Sequence, residues 1–471
     1  MKKLIALLLA LLMVFSMVAC GQKEEAPKAE EETKTEAPKE EAEEEEKKEE
    51  APAEEEEAAP EKNMSLNILW AGTGNGEMAN KAVEMMEAEY GLDIALEYNT
   101  VAHEVFQPML VAGNPPDVVM VQDNFFDHFA AAAEGAYIDI APYLDLPVNG
   151  SDLTVHDVGN GDILDAIAMD GAVYLAASNL NTENICYNKA LFEEHGWEVP
   201  ETIDEFMALC EEIKTTTDIA PFCWTGMYPY YAGPFVFPLI CTYGDGIEEW
   251  TRLNNMEEGF WVSEPVQKTA ALLQEMRDKG YFVNGMMSLN HTGSQMEFIN
   301  GNIAMICVGS WLEVEMDGNW PEGFELSVMH APTLEAGGEK YIEVTAQKFC
   351  FPAAAANTDW TGEFLQAYYS EESAAYNASN GCIISPYYVA NSDKVRAEMT
   401  DFTIAAFGAA DEGKMLYPLA KGWYKEWWDV YQNTLTALVS GEIDAAQFCE
   451  QMEQATADVR NDDSIVKYSA G

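Results

Sequence analysis

From residue 65 onward the chain switches repeatedly between two hydrophobic periods. Leu66 to Trp70 is a short apolar run ending at Gly72, Gly74 and Gly76, the pattern of a buried strand followed by a turn. Met78, Ala82, Met85, Met86 and Tyr90 then recur at helical spacing, and Gly91 follows them as a helix stop. Ile94 to Tyr98 reads as a second strand. Residues 104–112 read as a second helix broken by "GNPPD", and "DVVMV" as a third, nearly continuous apolar strand. Strand, helix, strand, helix, strand in so short a span predicts a parallel, doubly wound sheet. Ligands bind beyond the carboxyl ends of such strands, and those loops begin here at Ala71 and Gln122.

The remaining pattern is also of mixed α/β character. Thr202 and Glu205 have the spacing of a capping box, and Ile203, Phe206, Cys210 and Ile213 continue from it as an apolar stripe. A helix is predicted over Ser263–Lys279, with Pro265 in its first turn and Gly280 as its stop. "FINGNIAMICVGSW" joins a helix end to a buried strand over Ile303–Val308. The chain is mostly helical from Thr361, including Trp423–Val439 and Ile443–Val459. No repeat of fixed period is visible.

The first 62 residues follow neither period. Lys2 and Lys3, an apolar stretch from Leu4 to Val18, and Ala19 before Cys20 have the layout of an export signal over residues 1–19. The stretch is short for a spanning helix. Met17-Val18-Ala19-Cys20-Gly21 resembles the lipobox of bacterial lipoproteins, with Met17 where Leu is usual. The resemblance implies cleavage before Cys20 and a diacylglycerol on its sulfur, placing the protein on the outer face of the cell membrane. A plain cleaved signal with a spare cysteine is the alternative. Residues 20–62 then form a lipidated start and a tether of Glu, Lys, Ala and Pro, too poor in apolar side chains to fold and extended by its own charge.

Charge narrows the ligand. Of the net −57, the first twenty residues contribute +2 and residues 21–62 contribute −12, which leaves −47 on residues 63–471. So acidic a surface argues against nucleic acid, against anionic lipid surfaces and against anionic solutes, which it repels. A neutral solute is expected. The 409 residues from 63 to 471 exceed what one core usually organises, so two domains are expected. Eight cysteines remain after Cys20, with no close pairing, and Cys186, Cys210 and Cys307 lie inside apolar patterns. Buried reduced thiols fit these better than disulfides.

The order of "GNPPDVVMVQD", "AMDGAVYLAASNLNTENICYNKALFEEHG", "VPETIDEFMALCEEIK" and "FINGNIAMICVGSWLEV" resembles the extracellular solute-binding proteins of carbohydrate ABC importers, across nearly the whole folded chain. "TGMYPYYAGPF" is similar to a segment of binding proteins for N-acetylglucosamine or chitooligosaccharides. The resemblance implies an α/β, two-lobed periplasmic-binding-protein-like fold with a hinge and an interlobe ligand cleft. Its crossings are expected after Val173–Ala177, near Gly309 and near Phe351. The first lobe would then be 64–177 plus 310–350, and the second 178–309 plus 351–471. It also implies a monomeric receptor, not an enzyme and without cofactor or metal, that holds a neutral carbohydrate and serves the permease subunits of an importer.

A pyranose needs aromatic planes for its C–H faces and carboxylates or amides for its hydroxyls. Trp311 follows a strand end where the family places a stacking aromatic; a core Trp beneath the hinge is the alternative. Tyr228, Tyr230 and Tyr231 share a loop with Pro229, so at least one should face the cleft. Trp423, Tyr424, Trp427 and Trp428 cover more than one helical face, and Trp423 or Tyr424 is expected on the ligand side. Asp123 can accept from hydroxyls or cap the next helix. Asn181 and Glu183 follow the first crossing, and Thr73 and Asn75 lie in the first glycine-rich loop. That loop, "GTGNGE", lacks the dinucleotide spacing. "HEVFQ" lacks a second zinc-ligating His, and no Gly-x-Ser-x-Gly elbow is present. The competing readings are a surface glycan-degrading enzyme with a carboxylate dyad, a structural adhesin, and a peptide or other-solute receptor, for which Lys348 and Lys421 are the nearest cations.

Overall fold

A computed structural model of the chain describes residues 62–72, 78–122, 125–169, 171–417, 424–465 and 467. Among these, nine strands form a single sheet: β1 (Ser65–Ala71), β2 (Asp93–Asn99), β3 (Val118–Met120), β4 (Leu175–Asn188), β5 (Ala220–Trp224), β6 (Ile303–Gly309), β7 (Leu326–Met329), β8 (Tyr341–Cys350) and β9 (Lys414–Leu416). The order is β2-β1-β3-β8-β4-β6-β5, with β7 beside β4 and β9 beside β8. β1 runs parallel to β2 and β3, as the alternating pattern requires, with helices Asn80–Tyr90 and Ala102–Val111 between them. The capping box at Thr202 and Glu205 forms. Pro265 opens helix Glu264–Asp278, and Gly280 beyond its end has a φ of 68°, in the left-handed region that favours glycine.

Two hydrophobic cores share this sheet. One gathers Trp70, Met86, Val119, Phe364 and Tyr368; the other gathers Phe206, Trp224, Ile306, Trp427 and Tyr431. β4 and β8 belong to both. Leu175 to Leu180 pack in the first core and Ile185 to Tyr187 in the second, while Phe349 and Val344 lie in the first and Tyr341 in the second. These two long antiparallel strands cross between the lobes, and the chain crosses again after residue 395, where Phe402 packs in the second core and Phe407 in the first.

The packing departs from the sequence division in two segments. Leu312, Met316, Met329 and Ala331 pack in the second core, whereas Phe364, Tyr369 and Ile383 pack in the first. The cause is β7, which pairs with Ile185–Asn188 at the second-lobe end of β4. It keeps the chain in that lobe past Gly309 until β8 carries it back. No disulfide joins any two of the eight cysteines from Cys186 to Cys449, and seven of them are buried.

β4 is bulged against β8 between Ala177 and Asn179. A bulge takes backbone groups out of the ladder, and such groups need partners when buried. Tyr368 Oη donates to the Ser178 carbonyl at 2.5 Å, and Tyr369 Oη donates to that of Ala177. Both rings are fully buried. Tyr368→Phe should therefore leave a buried carbonyl unpaired, at a cost of about 1–3 kcal/mol. Thermal denaturation checks this, and an unchanged midpoint would show that the bulge needs no clamp.

Candidate ligand site

The middle of the β4–β8 pairing carries polar side chains where a sheet interior is normally apolar. Asn179 lies opposite Gln347, Asn181 opposite Thr345, and Glu183 opposite Glu343. Directly opposed residues of an antiparallel pair project from the same face, so these six make one polar stripe. Asn179 Nδ2 donates to Asn181 Oδ1 at 3.0 Å, and Thr345 Oγ1 donates to Glu183 Oε1 at 3.3 Å. Glu343 is 8% exposed; Ile342 and Val344 on either side of it pack in the first core.

Aromatic groups surround the acidic end of the stripe. On its other edge Glu183 pairs with Gly309 of β6. A Cβ at Gly309 would fall inside the Trp311 indole, so only glycine lets that ring lie against the strand. A short turn, Pro229–Ala232, supplies Tyr230 and Tyr231, stacked with centroids 4.8 Å apart. Gly233 follows, and a Cβ there would strike the Glu343 carboxylate; its absence lets helix Gly233–Tyr243 start against the acid. Tyr231 meets Trp311 edge-on at 6.2 Å, and Tyr230 stacks on Trp428 at 5.9 Å. Trp428 in turn stacks on Tyr431 at 5.5 Å. Tyr230, Tyr231, Trp311 and Trp428 are half-buried and Tyr228 is exposed. Beside Tyr231, His291 is fixed by Glu315 at 2.6 Å, an acid that Gln295 also contacts at 2.9 Å.

Burial raises the pKa of Glu183, and the bond from Thr345 only partly offsets it. Glu343 is raised first by burial and then by the Glu183 charge. The phenol of Tyr230 is pushed up to about 12 by burial and then by Glu183. Tyr431 is raised by burial and then by Glu343. Among the described residues no Lys, Arg or His acts on either acid. The site thus combines carboxyl oxygens that accept hydrogen bonds with ring surface beside them, which suits a ligand having donors around a flat apolar body.

Of the residues singled out in the sequence, the structure brings Trp311, Tyr230, Tyr231, Glu183 and Asn181 to this region. Tyr228 sits at the edge of the same turn, 6.1 Å from Tyr230. Tyr424 is buried at the head of helix Lys425–Ser440 and packs in the second core; the half-buried aromatic of that helix is Trp428. Thr73, Asn75, Asp123 and Trp423 lie outside the described residues, as do Cys20 and Lys421. Glu343, Gly309 and Trp428 were not anticipated as site residues. The available signal for Glu343 was an acid between two β-branched apolar residues, Ile342 and Val344.

Two α/β lobes joined by crossing strands, with a polar and aromatic site on those strands, define a solute-receptor fold. Residues 75–375 match the bacterial extracellular solute-binding protein family, and the chain belongs to it. The diacetylchitobiose binding protein NgcE of Streptomyces coelicolor is 26% identical over 283 residues, covering 57% of this chain and 58% of that protein. The chain thus spans less than three fifths of that relative's length. A chitin oligosaccharide binding protein of solved structure has a TM-score of 0.64 at 18% identity, covering 84% of this chain and 98% of its own. An ABC substrate-binding protein from Listeria monocytogenes, solved in complex with cycloalternan, has a TM-score of 0.65 at 16% identity, covering 84% and 98%. Both structures share its fold.

The raised acids link stability to pH. Both keep protons in the folded state that they release when unfolded above their ordinary value of 4.5, so stability falls as pH rises from there through the folded values. Glu343→Gln should therefore gain stability relative to the parent at pH 8 and lose that advantage near pH 4. Melting curves at the two pH values measure it, and equal differences at both would contradict the raised acids.

Proposed function

We propose that the chain is the capture component of a carbohydrate importer, tethered outside the cell through a lipid on Cys20, that passes its ligand to permease subunits in the membrane. The observation that carries this reading is the opposed Glu183 and Glu343 on the two crossing strands, bordered by Tyr230, Tyr231, Trp311 and Trp428. It offers acceptors for hydroxyls and ring faces for C–H surface at the junction of the lobes. The names of the three relatives, which refer to diacetylchitobiose, a chitin oligosaccharide and cycloalternan, support a mono- or oligosaccharide. The net charge of −47 on residues 63–471 disfavours one with acidic groups.

The mechanism is closure without chemistry. A ligand that touches both lobes only when they meet favours the closed arrangement by its differential affinity for it. Asp123, Thr73, Asn75 and Trp423 are proposed to bind the same ligand, with Tyr228 at its rim. The sugar is released unaltered to the permease.

Calorimetry of the purified protein against a panel of mono- and oligosaccharides tests the reading, and heat from none of them would sink it. Trp311→Ala should weaken the best ligand about tenfold or more while leaving the melting temperature near that of the parent; undiminished affinity would move the site elsewhere. Cys20→Ser should shift the protein from the membrane fraction to the soluble one, and its retention there would refute the lipid tether.

A further inference from the structure

The Glu183–Glu343 pair is more than hydroxyl recognition requires. Like charges directly opposed across a ladder are unfavourable, and buried charges are normally paired with opposite ones. Among the described residues no hydrogen bond or ion pair reaches Glu343, although it is only 8% exposed, and Glu183 receives only the 3.3 Å bond from Thr345. A second group is left open at the same place: the fully buried Tyr431 Oη has no partner among the described residues, and Glu343 is the charge acting on it.

Among the described residues the other elements beside the pair bring no unengaged cation: β9, which meets Glu343 through Leu416, carries Lys414, and that lysine is held by Glu339 at 2.6 Å. The turn contributes Tyr230 and Tyr231, β4 and β6 contribute Cys186 and Cys307, and helix Gly233–Tyr243 contributes the Cα of Gly233. The nearby His291 is engaged by Glu315. Two acids, an open phenol and four half-buried aromatic rings are the environment in which an alkylammonium group is favoured over water, by charge and by attraction to ring faces. The surface charge that repels anions draws a cation toward such a site.

We infer that Glu183 and Glu343, with Tyr230, Tyr231, Trp311 and Trp428 around them, form a seat for an ammonium group, so the carbohydrate this chain takes best carries a free amine on its ring. The inference rests on the carbohydrate reading and names its substrate class. Without ligand, two acids so close share a proton. An arriving ammonium replaces it, and the proton leaves to solvent.

The test uses the full chain and three disaccharides of one β-1,4 geometry that differ at C2: chitobiose with both amines free, its di-N-acetyl form, and cellobiose. Calorimetry at pH 7 in two buffers of different ionisation enthalpy gives affinity and proton release together. The free-amine sugar should bind about tenfold or more tighter than the other two and release protons to the buffer. Glu343→Gln, checked for folding by its melting curve, should reduce that preference to within about threefold, and Glu183→Gln should do the same. Equal or weaker binding of the free amine beside measurable binding of the other sugars overturns the ammonium seat and leaves the carbohydrate reading standing. Failure of all three sugars overturns the seat and counts against the carbohydrate reading as well. A preference that survives both glutamine variants also overturns it, since the acids would then not be its source.

Discussion

The antiparallel pairing of β4 with β8 is the constraint on which the rest of the protein depends. Each strand contributes to both hydrophobic cores, so neither lobe can be completed without the segment that leads into the other. Separate cores give each lobe rigidity of its own, and the ladder joins them, together with helix Asp401–Glu412, whose Phe402 packs in the second core and Phe407 in the first. The bulge between Ala177 and Asn179, with its freed carbonyls held by two buried tyrosines, fixes where along that ladder the backbone leaves regular geometry.

The same ladder carries the acids. Opposing two carboxyl groups inside a sheet costs folding energy, and a strand whose only task was structural would hold apolar residues there. Gly309 and Gly233 extend the pattern, since each lacks the Cβ that would exclude a functional group, the Trp311 ring in one case and the Glu343 carboxylate in the other. The glycines and acids are meaningful together: the local departures from good sheet design coincide at the place where the lobes join.

Much of the fold was legible in the sequence because its signals are local. β1, helix Asn80–Tyr90, the cap at Thr202 and the buried strand β6 are set by periods and capping residues within one window. The lobe boundaries were not, because they depend on β7 joining β4 across more than a hundred residues, a pairing that no window contains. The site was half legible. Trp311 and the tyrosine turn are aromatic residues beside strand ends or proline, but choosing among the aromatics near 424 needed the helix phase. Trp427, Tyr431, Leu435 and Leu438 form the buried stripe, which turns Trp428 outward. Tyr424, before the first turn, folds back into the core. Glu343 escaped notice because its role appears only when β8 is laid against Glu183.

The eight thiols have a consequence for how this chain matures. Secreted proteins often rely on covalent cross-links, yet here Cys186, Cys223 and Cys307 act as small apolar fillers within the second core. Reaching the native state then requires no disulfide to be formed among these eight residues. The same interior keeps these sulfurs from oxidants once the chain is native, so their period of chemical vulnerability ends with folding.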